Sequence, residues 1–232
     1  SPCGSAGESE GGMIPGARLI LLGRQGAGKG TQCVRLSRHF VVPHISTGDM
    51  LRAAVRELTE VGAMAKQVMD AGGLVGDDIM VGIVEERLRR DDARTRGYIL
   101  DGFPRTVRQA VELDRITAER PLDVVLDLDV PRELVLKRIS SRRVCRDCGT
   151  NYVAIEDDRS MAICDVCGGD VLQRDDDTPD AINRRLDLYE EQTSPLIEFY
   201  GNDGRLVVID GVGTPDSVFH LLTAAVERAK VS

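Results

Sequence analysis

The chain has 232 residues, enough for one large domain or for one domain with an insert, and it can bury a substantial core without disulfide bonds. Its charged fraction of 29% is that of an ordinary globular protein, and no apolar run approaches the roughly 18 residues that span a bilayer. We therefore expect no membrane partner. The net charge of −8 argues against a nucleic-acid partner but not against a small phosphate ligand.

The first segment, residues 1–16, is rich in Gly, Ser and Glu. It has neither the basic start nor the apolar stretch of a secretory signal peptide. Its composition predicts a disordered tail that cannot pack against a core. Without a signal peptide or a membrane span, we expect a cytoplasmic protein.

After the tail, apolar runs alternate with helical patterns. Short apolar runs, typical of strands buried on both faces, predict strands at 18–22, 41–45, 97–100, 124–128 and 206–209. The helical pattern predicts helices at 28–39, 47–58, 61–71, 77–89, 106–118, 131–140, 179–200 and 215–229. Strands that alternate with crossover helices predict an α/β fold, here a five-stranded parallel sheet with helices on both faces.

Two stretches interrupt this alternation. Between about 47 and 80 helices follow one another with no strand between them, and from 142 to 177 the sequence is polar, Cys-rich and non-helical. We therefore predict a core made of residues 17–46, 72–141 and 178–232. It would carry a helical insert at 47–76 and a second insert at 142–177.

A glycine-rich loop follows the first predicted strand and reads Gly-x4-Gly-Lys-Gly-Thr from Gly23 to Thr31. Such a loop lets backbone N–H groups converge on phosphate oxygens, and the next helix points its positive end at them. Lys29 adds a charge for the distal phosphates. Gly30 stands where Ser or Thr usually binds magnesium, so another residue would have to support the metal. The alternative is a glycine-rich turn without a ligand.

Four of the six cysteines form the pattern Cys145-x2-Cys148-x15-Cys164-x2-Cys167, which is the spacing of two zinc knuckles. Four thiolates close a tetrahedral zinc site with no open position, so the metal would be structural. Two alternatives stay open at this point. The cysteines could form disulfides, or the segment could be a zinc ribbon that binds nucleic acid, although the adjacent acidic stretch at 175–177 disfavours the ribbon.

Charged residues at two strand and helix ends are candidates for phosphate and metal binding. Asp101 ends a strand and could hold magnesium through water, or it could cap a turn. Arg52 and Arg105 would lie at the carboxyl edge of the sheet, where ligands bind in open α/β folds, although Arg52 could also be a solvated charge. The histidines show no catalytic or ligand-like pattern, and we interpret them as structural or surface residues: His39, His44 and His220.

Three motifs in this order resemble adenylate kinase: GAGKGTQ at 26–32, STGDMLR at 46–52 and DGFPRT at 101–106. The similarity runs from about Arg18 to the C-terminus and includes the four-cysteine lid of many bacterial members. The chain departs from the family at Gln25, where Pro is common, and at Gly76, where Thr or Pro is commoner. Neither position supplies a side chain that the chemistry needs, so we still expect activity.

The resemblance implies the reaction ATP + AMP ⇌ 2 ADP, with magnesium, by direct in-line transfer. ATP and AMP would be the partners of a monomer, the insert at 47–76 would bind the nucleoside monophosphate, and the segment 142–177 would be a zinc-containing lid whose closure excludes water. No general base is needed because the attacking phosphate oxygen is already ionised. The rivals are a kinase for GMP, UMP or CMP, and a nucleotide-binding or zinc-ribbon module without catalysis.

The resemblance also implies roles for individual residues. The catalytic residues would be Lys29, Asp101, Arg105, Arg138, Arg142, Arg174 and Arg185. ATP would contact Gln25, Gly26, Ala27, Gly28, Lys29, Gly30, Thr31, Arg138, Arg142, Asn151, Tyr152 and Gly213. AMP would contact Thr47, Arg52, Gly73, Leu74, Val75, Gly102, Phe103, Pro104, Arg105, Gln109, Arg174 and Arg185. The zinc ligands would be Cys145, Cys148, Cys164 and Cys167.

Overall fold

A computed structural model describes residues 16–153, 163–174 and 177–231, so nearly all of the predicted tail at 1–16 lies outside the described residues. The strands are β1 (Arg18–Leu22), β2 (His44–Ser46), β3 (Tyr98–Asp101), β4 (Val124–Asp129), β5 (Arg142–Cys145), β6 (Asn151–Val153), β7 (Val171–Leu172) and β8 (Leu206–Asp210). The helices are α1 (Lys29–Phe40), α2 (Thr47–Arg56), α3 (Glu60–Asp70), α4 (Asp77–Leu88), α5 (Asp91–Arg96), α6 (Val107–Ile116), α7 (Arg132–Ser140), α8 (Pro179–Leu188), α9 (Pro195–Asn202) and α10 (Pro215–Val231).

In the part of the chain that the structure describes, five parallel strands form one sheet in the order β2-β3-β1-β4-β8. The predicted fold class is confirmed. The carboxyl ends of these strands meet at one edge, and that edge carries the loop before α1, the start of α2 and the end of β3. Within the same described ranges, no helix has the length and apolar character that a bilayer span requires.

The side chains of β1 explain why its sequence is continuously apolar. Leu19 and Leu21 pack into one buried cluster with α1 and α10, whereas Ile20 and Leu22 pack into another with α4 and α6. Successive strand residues point to opposite faces, so helices on both faces require apolar residues at every position. The sheet is therefore covered on both sides.

Two local predictions were wrong, and one short helix was missed. The single helix predicted at 179–200 is interrupted by a π-helical turn at Tyr189–Thr193, and α9 starts afresh at Pro195, whose ring cannot continue a helix. The short helix α5 was not predicted. Strand β2 starts at His44 and not at residue 41, because Val41 ends α1 in the left-handed conformation, with φ 53°.

A second, antiparallel sheet of order β6-β5-β7 lies within the segment 142–177 that was predicted to be a lid. Its buried cluster consists of Cys145, Cys164 and Val171, with Tyr152 packed against them. This cluster is very small. A sheet with so little apolar surface to bury needs another source of stability.

Candidate functional site

The glycine-rich loop joins the end of β1 to the start of α1, as the sequence predicted. Gly26 has φ 85°, and a Cβ there would lie 2.5 Å from Cγ1 of Ile139, so only glycine fits this close approach to α7. The Lys29 ammonium lies within the loop and donates to the carbonyl oxygens of Gly23 (2.7 Å) and Arg24 (2.9 Å). A loop that wraps around a lysine at a helix N-terminus can receive a phosphate group.

Asp101, at the end of β3, lies beside His44, with 3.3 Å between Asp101 Oδ2 and His44 Nε2. Burial would raise the pKa of the Asp101 carboxyl, but the hydrogen bond from His44 and the charge of Lys29 outweigh it, so the pKa is lowered. Cys33 completes a group of three potential ligand atoms within 4.8 Å of one another. The structure thus places His44, which we interpreted as a structural or surface residue, in direct contact with a predicted site residue. Pairing between strands brings residues 44 and 101 together, which no local pattern reveals.

The cations predicted to bind phosphate gather at this edge of the sheet. Burial lowers the pKa of Lys29, and the charges of Arg105 and Arg142 lower it further. Burial also lowers the pKa of Arg105, with further contributions from the charges of Arg185 and Arg52. Positive groups that repel one another at short range favour a bound polyanion.

A buried carboxylate that the sequence analysis missed holds three of the predicted residues. The side chain of Asp177 is fully buried and accepts hydrogen bonds from Arg142 at 2.5–3.0 Å. It also accepts from Gln25 Nε2 (3.2 Å) and Arg185 Nη1 (3.5 Å). Gln25 in turn accepts from Arg185 (3.4 Å), so its side chain belongs to the hydrogen-bond network around Asp177. The available signal was the position of Asp177, directly before a helix that starts with Thr178 and Pro179.

The remaining predicted residues of the donor side lie on several elements. Arg138 on α7 donates to the carbonyl oxygens of Ala27 (3.1 Å) and Gly211 (3.3 Å), which places it between the phosphate loop and the segment that contains Gly213. Asn151 accepts from Arg174 within the lid (3.5 Å). The hydroxyl of Tyr152 lies 3.1 Å from Cys164 Sγ, so the structure places Tyr152 beside the cysteines.

On the acceptor side, α2 is attached to the sheet edge. The buried Thr47 donates its hydroxyl to the carbonyl oxygen of Gly102 (3.0 Å). Gly102 has φ 80°, and a Cβ there would lie 2.9 Å from Thr47 Oγ1. Phe103 is buried, and its peptide bond to Pro104 is cis. Arg52 pairs with Asp49 on the same helix (2.5 Å).

A cavity of about 470 Å³ separates the α3–α4 connection from α8. It is lined on one side by Gly73 and Leu74 and on the other by Arg184 and Leu188. The predicted acceptor residue Gln109 lies on α6 and is buried. Both ends of its amide are engaged: Oε1 accepts from the Arg105 backbone N–H (2.7 Å), and Nε2 donates to Asp77 Oδ1 (2.8 Å).

The four predicted metal ligands come together. Each offers a sulfur atom that lies within 4.8 Å of the other three, with 3.4 Å between Cys145 and Cys167 and 3.5 Å between Cys148 and Cys164. Both glycines that follow the pairs have φ 76°, which produces two equivalent turns. The contacts exceed the ~2.05 Å of a disulfide, and all four cysteines are free. The arrangement could hold a tetrahedral thiolate-bound metal, and it does not support the disulfide alternative.

The parallel sheet, the glycine-rich loop and the convergent cations define a phosphate-binding α/β protein of the P-loop class. Comparison with known proteins identifies the family. The sequence model of the adenylate kinase family matches residues 21–205. The chain belongs to the adenylate kinase family, and its enzyme class is that of the nucleoside monophosphate kinases.

Individual relatives support this assignment over most of the chain. The chain is 47% identical over 209 residues to an adenylate kinase of Syntrophobacter fumaroxidans, which covers 89% of this chain and 98% of that protein. It is 48% identical over 213 residues to an adenylate kinase of Methanosarcina mazei, with coverage of 90% and 98%. An adenylate kinase of Clostridium perfringens is 46% identical over 205 residues, with coverage of 87% and 94%.

Proposed function

We propose that this protein catalyses the reversible transfer of a phosphoryl group from ATP to AMP, giving two ADP, by direct in-line displacement. The observation that carries the proposal is the gathering of Lys29, Arg105, Arg142 and Arg185 at one edge of the sheet. Two nucleotides whose phosphates meet there would neutralise the mutual repulsion of these cations. The same charges would stabilise the transferring group in the transition state.

The donor and the acceptor would approach from opposite sides. ATP would place its phosphates on the loop of Lys29 and its adenine near Gly213, with Arg138 and Arg142 on the polyphosphate. AMP would lie between the insert at 47–76 and the core, with its phosphate at Arg52 and Arg105 and its base at Gln109. The cavity beside Gly73 would leave room for AMP on that side. Alignment and charge are all that the protein must supply, because the AMP phosphate is already a nucleophile.

Magnesium would be held at Asp101 through water. Gly30 offers no hydroxyl at the usual metal position of the loop, and the lowered pKa of Asp101 keeps its carboxylate ionised for a cation. The ion would screen the charge of the donor phosphates when they are bound. Asp101 also lies near Lys29, since the lysine charge contributes to the lowered pKa, so ion and phosphates would meet at one place.

The segment 142–177 would act as a lid that closes over the phosphates and excludes water. Arg142 is the first residue of this segment and Asp177 is the last. The two side chains form an ion pair where the lid would join the core. A zinc ion at the four cysteines would hold the lid sheet together and take no part in the chemistry. Water exclusion would favour transfer to AMP over hydrolysis.

The test is a panel of acceptors and donors with purified protein. We expect ADP formation from ATP and AMP to exceed transfer to GMP, UMP or CMP. Replacement of Lys29 by Met should lower the rate about a hundredfold to a thousandfold, because it removes a charge from the transferring phosphates. The matched control is Lys137→Met, an exposed lysine on α7, which should leave the rate unchanged. A preference for UMP or GMP would overturn the adenylate assignment, and an unchanged rate in Lys29→Met would overturn catalysis at the loop.

A further inference from the structure

Asp77, the first residue of α4, contacts the start of α6 through both oxygens of its carboxylate. Asp77 Oδ1 accepts from Gln109 Nε2 (2.8 Å), and Asp77 Oδ2 accepts from the Thr106 hydroxyl (3.1 Å). Thr106 caps α6 by accepting from the backbone N–H of Gln109 (3.2 Å). Gln109 is only 2% exposed, so its side chain has little freedom to turn away from Asp77.

These contacts fix which end of the Gln109 amide is nitrogen. A carboxylate can only accept hydrogen bonds, so the amide NH2 must face Asp77. On the other side the Arg105 backbone N–H can only donate, so it must face Oε1, at 2.7 Å. A reversed amide would place oxygen against oxygen and N–H against N–H. Among the described residues, each end of the amide makes one hydrogen bond and keeps one further position, an N–H at one end and a lone pair at the other.

The remaining N–H and lone pair of Gln109 match the hydrogen-bonding pattern of a 6-aminopurine. A 6-aminopurine presents a donor at its amino group and an acceptor at N1, which the lone pair and the N–H of Gln109 would complement. A 6-oxopurine presents the opposite pattern, an acceptor at O6 and a donor at N1, so it would need the reversed amide. A site that is built for one hydrogen-bonding pattern strongly rejects a ligand that leaves its buried groups unpaired.

We propose that Asp77 is a positioning residue that sets the base specificity of the acceptor site. It holds Gln109 in the orientation that accepts a 6-aminopurine monophosphate and rejects a 6-oxopurine monophosphate. This inference rests on the proposed function, in which Gln109 contacts the base of AMP. Asp77 acts through Gln109 and does not itself touch the nucleotide.

The experiment compares AMP with IMP as acceptors in wild type and in Asp77→Ala. We expect kcat/KM for AMP to fall about tenfold through KM, with kcat and the KM for ATP little changed. The preference for AMP over IMP should also fall about tenfold. Asp77→Asn should recover most of both, because its amide oxygen can still accept from Gln109. The matched control is Asp78→Ala: Asp78 is the exposed next residue, paired with exposed Arg108, and its removal should change neither quantity.

A double-mutant cycle with Gln109→Ala tests the route of the effect. If Asp77 acts through Gln109, Asp77→Ala should cause no further loss of AMP preference in the Gln109→Ala background. An equal loss for AMP and IMP, or an undiminished effect in that background, would overturn the proposal. Should the alanine variant not fold, Asp77→Ser serves instead, since its hydroxyl keeps α4 polar at its start but is too short to reach Gln109. Failure of the wild type to phosphorylate AMP would overturn the proposed function and not the orientation of Gln109.

Discussion

The edge of the parallel sheet and the segment 142–177, the proposed lid, both carry arginines of the proposed phosphate site, but the two regions are stabilised in different ways. The sheet edge is stabilised by the burial of β1. Leu19, Ile20 and Leu21 are at most 1% exposed and pack against helices on both faces of the sheet. The lid sheet has a buried cluster of three residues, and two of them are cysteines. Hydrophobic burial therefore suffices for the first region, whereas the second would depend on thiolate–metal bonds at the proposed zinc site.

This contrast has a functional consequence. A phosphate loop that is held in place by the core loses little conformational freedom when a nucleotide binds, which favours affinity. A lid whose own sheet is held together by zinc, as we propose, would be able to move as a unit against the core. The ion pair between Arg142 and Asp177 lies where these two regions join.

Among the experiments that test this contrast, we expect the largest effect from removal of the metal. The purified protein should contain one zinc ion per chain, as measured by elemental analysis. With a strong chelator, or in Cys164→Ser, we expect an early unfolding transition for the lid in calorimetry, while the core transition stays in place. The rate of ADP formation should fall on the order of a hundredfold, because the lid arginines no longer reach the phosphates.

Val166 provides the control for this experiment. It lies in the same turn as Cys164 and Cys167 and is 68% exposed, so Val166→Ala should alter neither the lid transition nor the zinc content. A protein without metal whose cysteines are paired as disulfides would contradict the structural zinc site. A single transition that the chelator leaves unchanged would contradict the distinction between the two regions.

The junction between the regions should be the next most sensitive place. Asp177→Asn leaves the Arg142 guanidinium without a buried counter-charge, and the loss of one partner of a buried pair costs about 3 kcal/mol. We expect that decrease in the free energy of unfolding, measured with urea, together with a lower kcat. Asp187→Asn is the matched control because its pair with Arg132 is exposed (2.8 Å), and it should cost less than about 1 kcal/mol. Equal effects of the two substitutions would show that Asp177 does not join the lid to the core.

The sequence predicted those features whose physical cause is local. Strand β1 was predicted to the residue, because burial on both faces requires an uninterrupted apolar run. The cysteine cluster was predicted from the spacing of the cysteines, because one short turn suffices to align the two thiols of each pair. The break at Tyr189–Thr193 was missed, although Pro195 inside the predicted helix was a signal that the helix is interrupted before it.

Local sequence patterns could not predict the hydrogen bonds between residues that lie far apart in the chain. Asp177 contacts Gln25, 152 residues earlier in the chain, and His44 contacts Asp101 across 57 residues. An aspartate in a polar stretch resembles any solvated acidic residue until the fold encloses it. Motifs therefore identified the residues expected to touch the nucleotides, and the structure was needed to find the residues that hold them in place.

The smallest expected effect is a pH dependence within the core region. The pKa of Asp101 is lowered on folding by His44 and Lys29, which outweigh burial, so its carboxylate adds stability that is fully present above its unfolded value of about 4. That contribution is lost as the pH falls through the lower folded value. The free energy of unfolding of wild type should therefore decrease toward that of Asp101→Asn as the pH is lowered below about 4 in a urea series. Other carboxylates titrate equally in both proteins and cancel in the difference. A difference in the free energy of unfolding between the two proteins that stays constant or widens in acid would mean that His44 and Lys29 do not stabilise the ionised carboxylate. The sheet edge would then be less preorganised than the contrast with the lid requires.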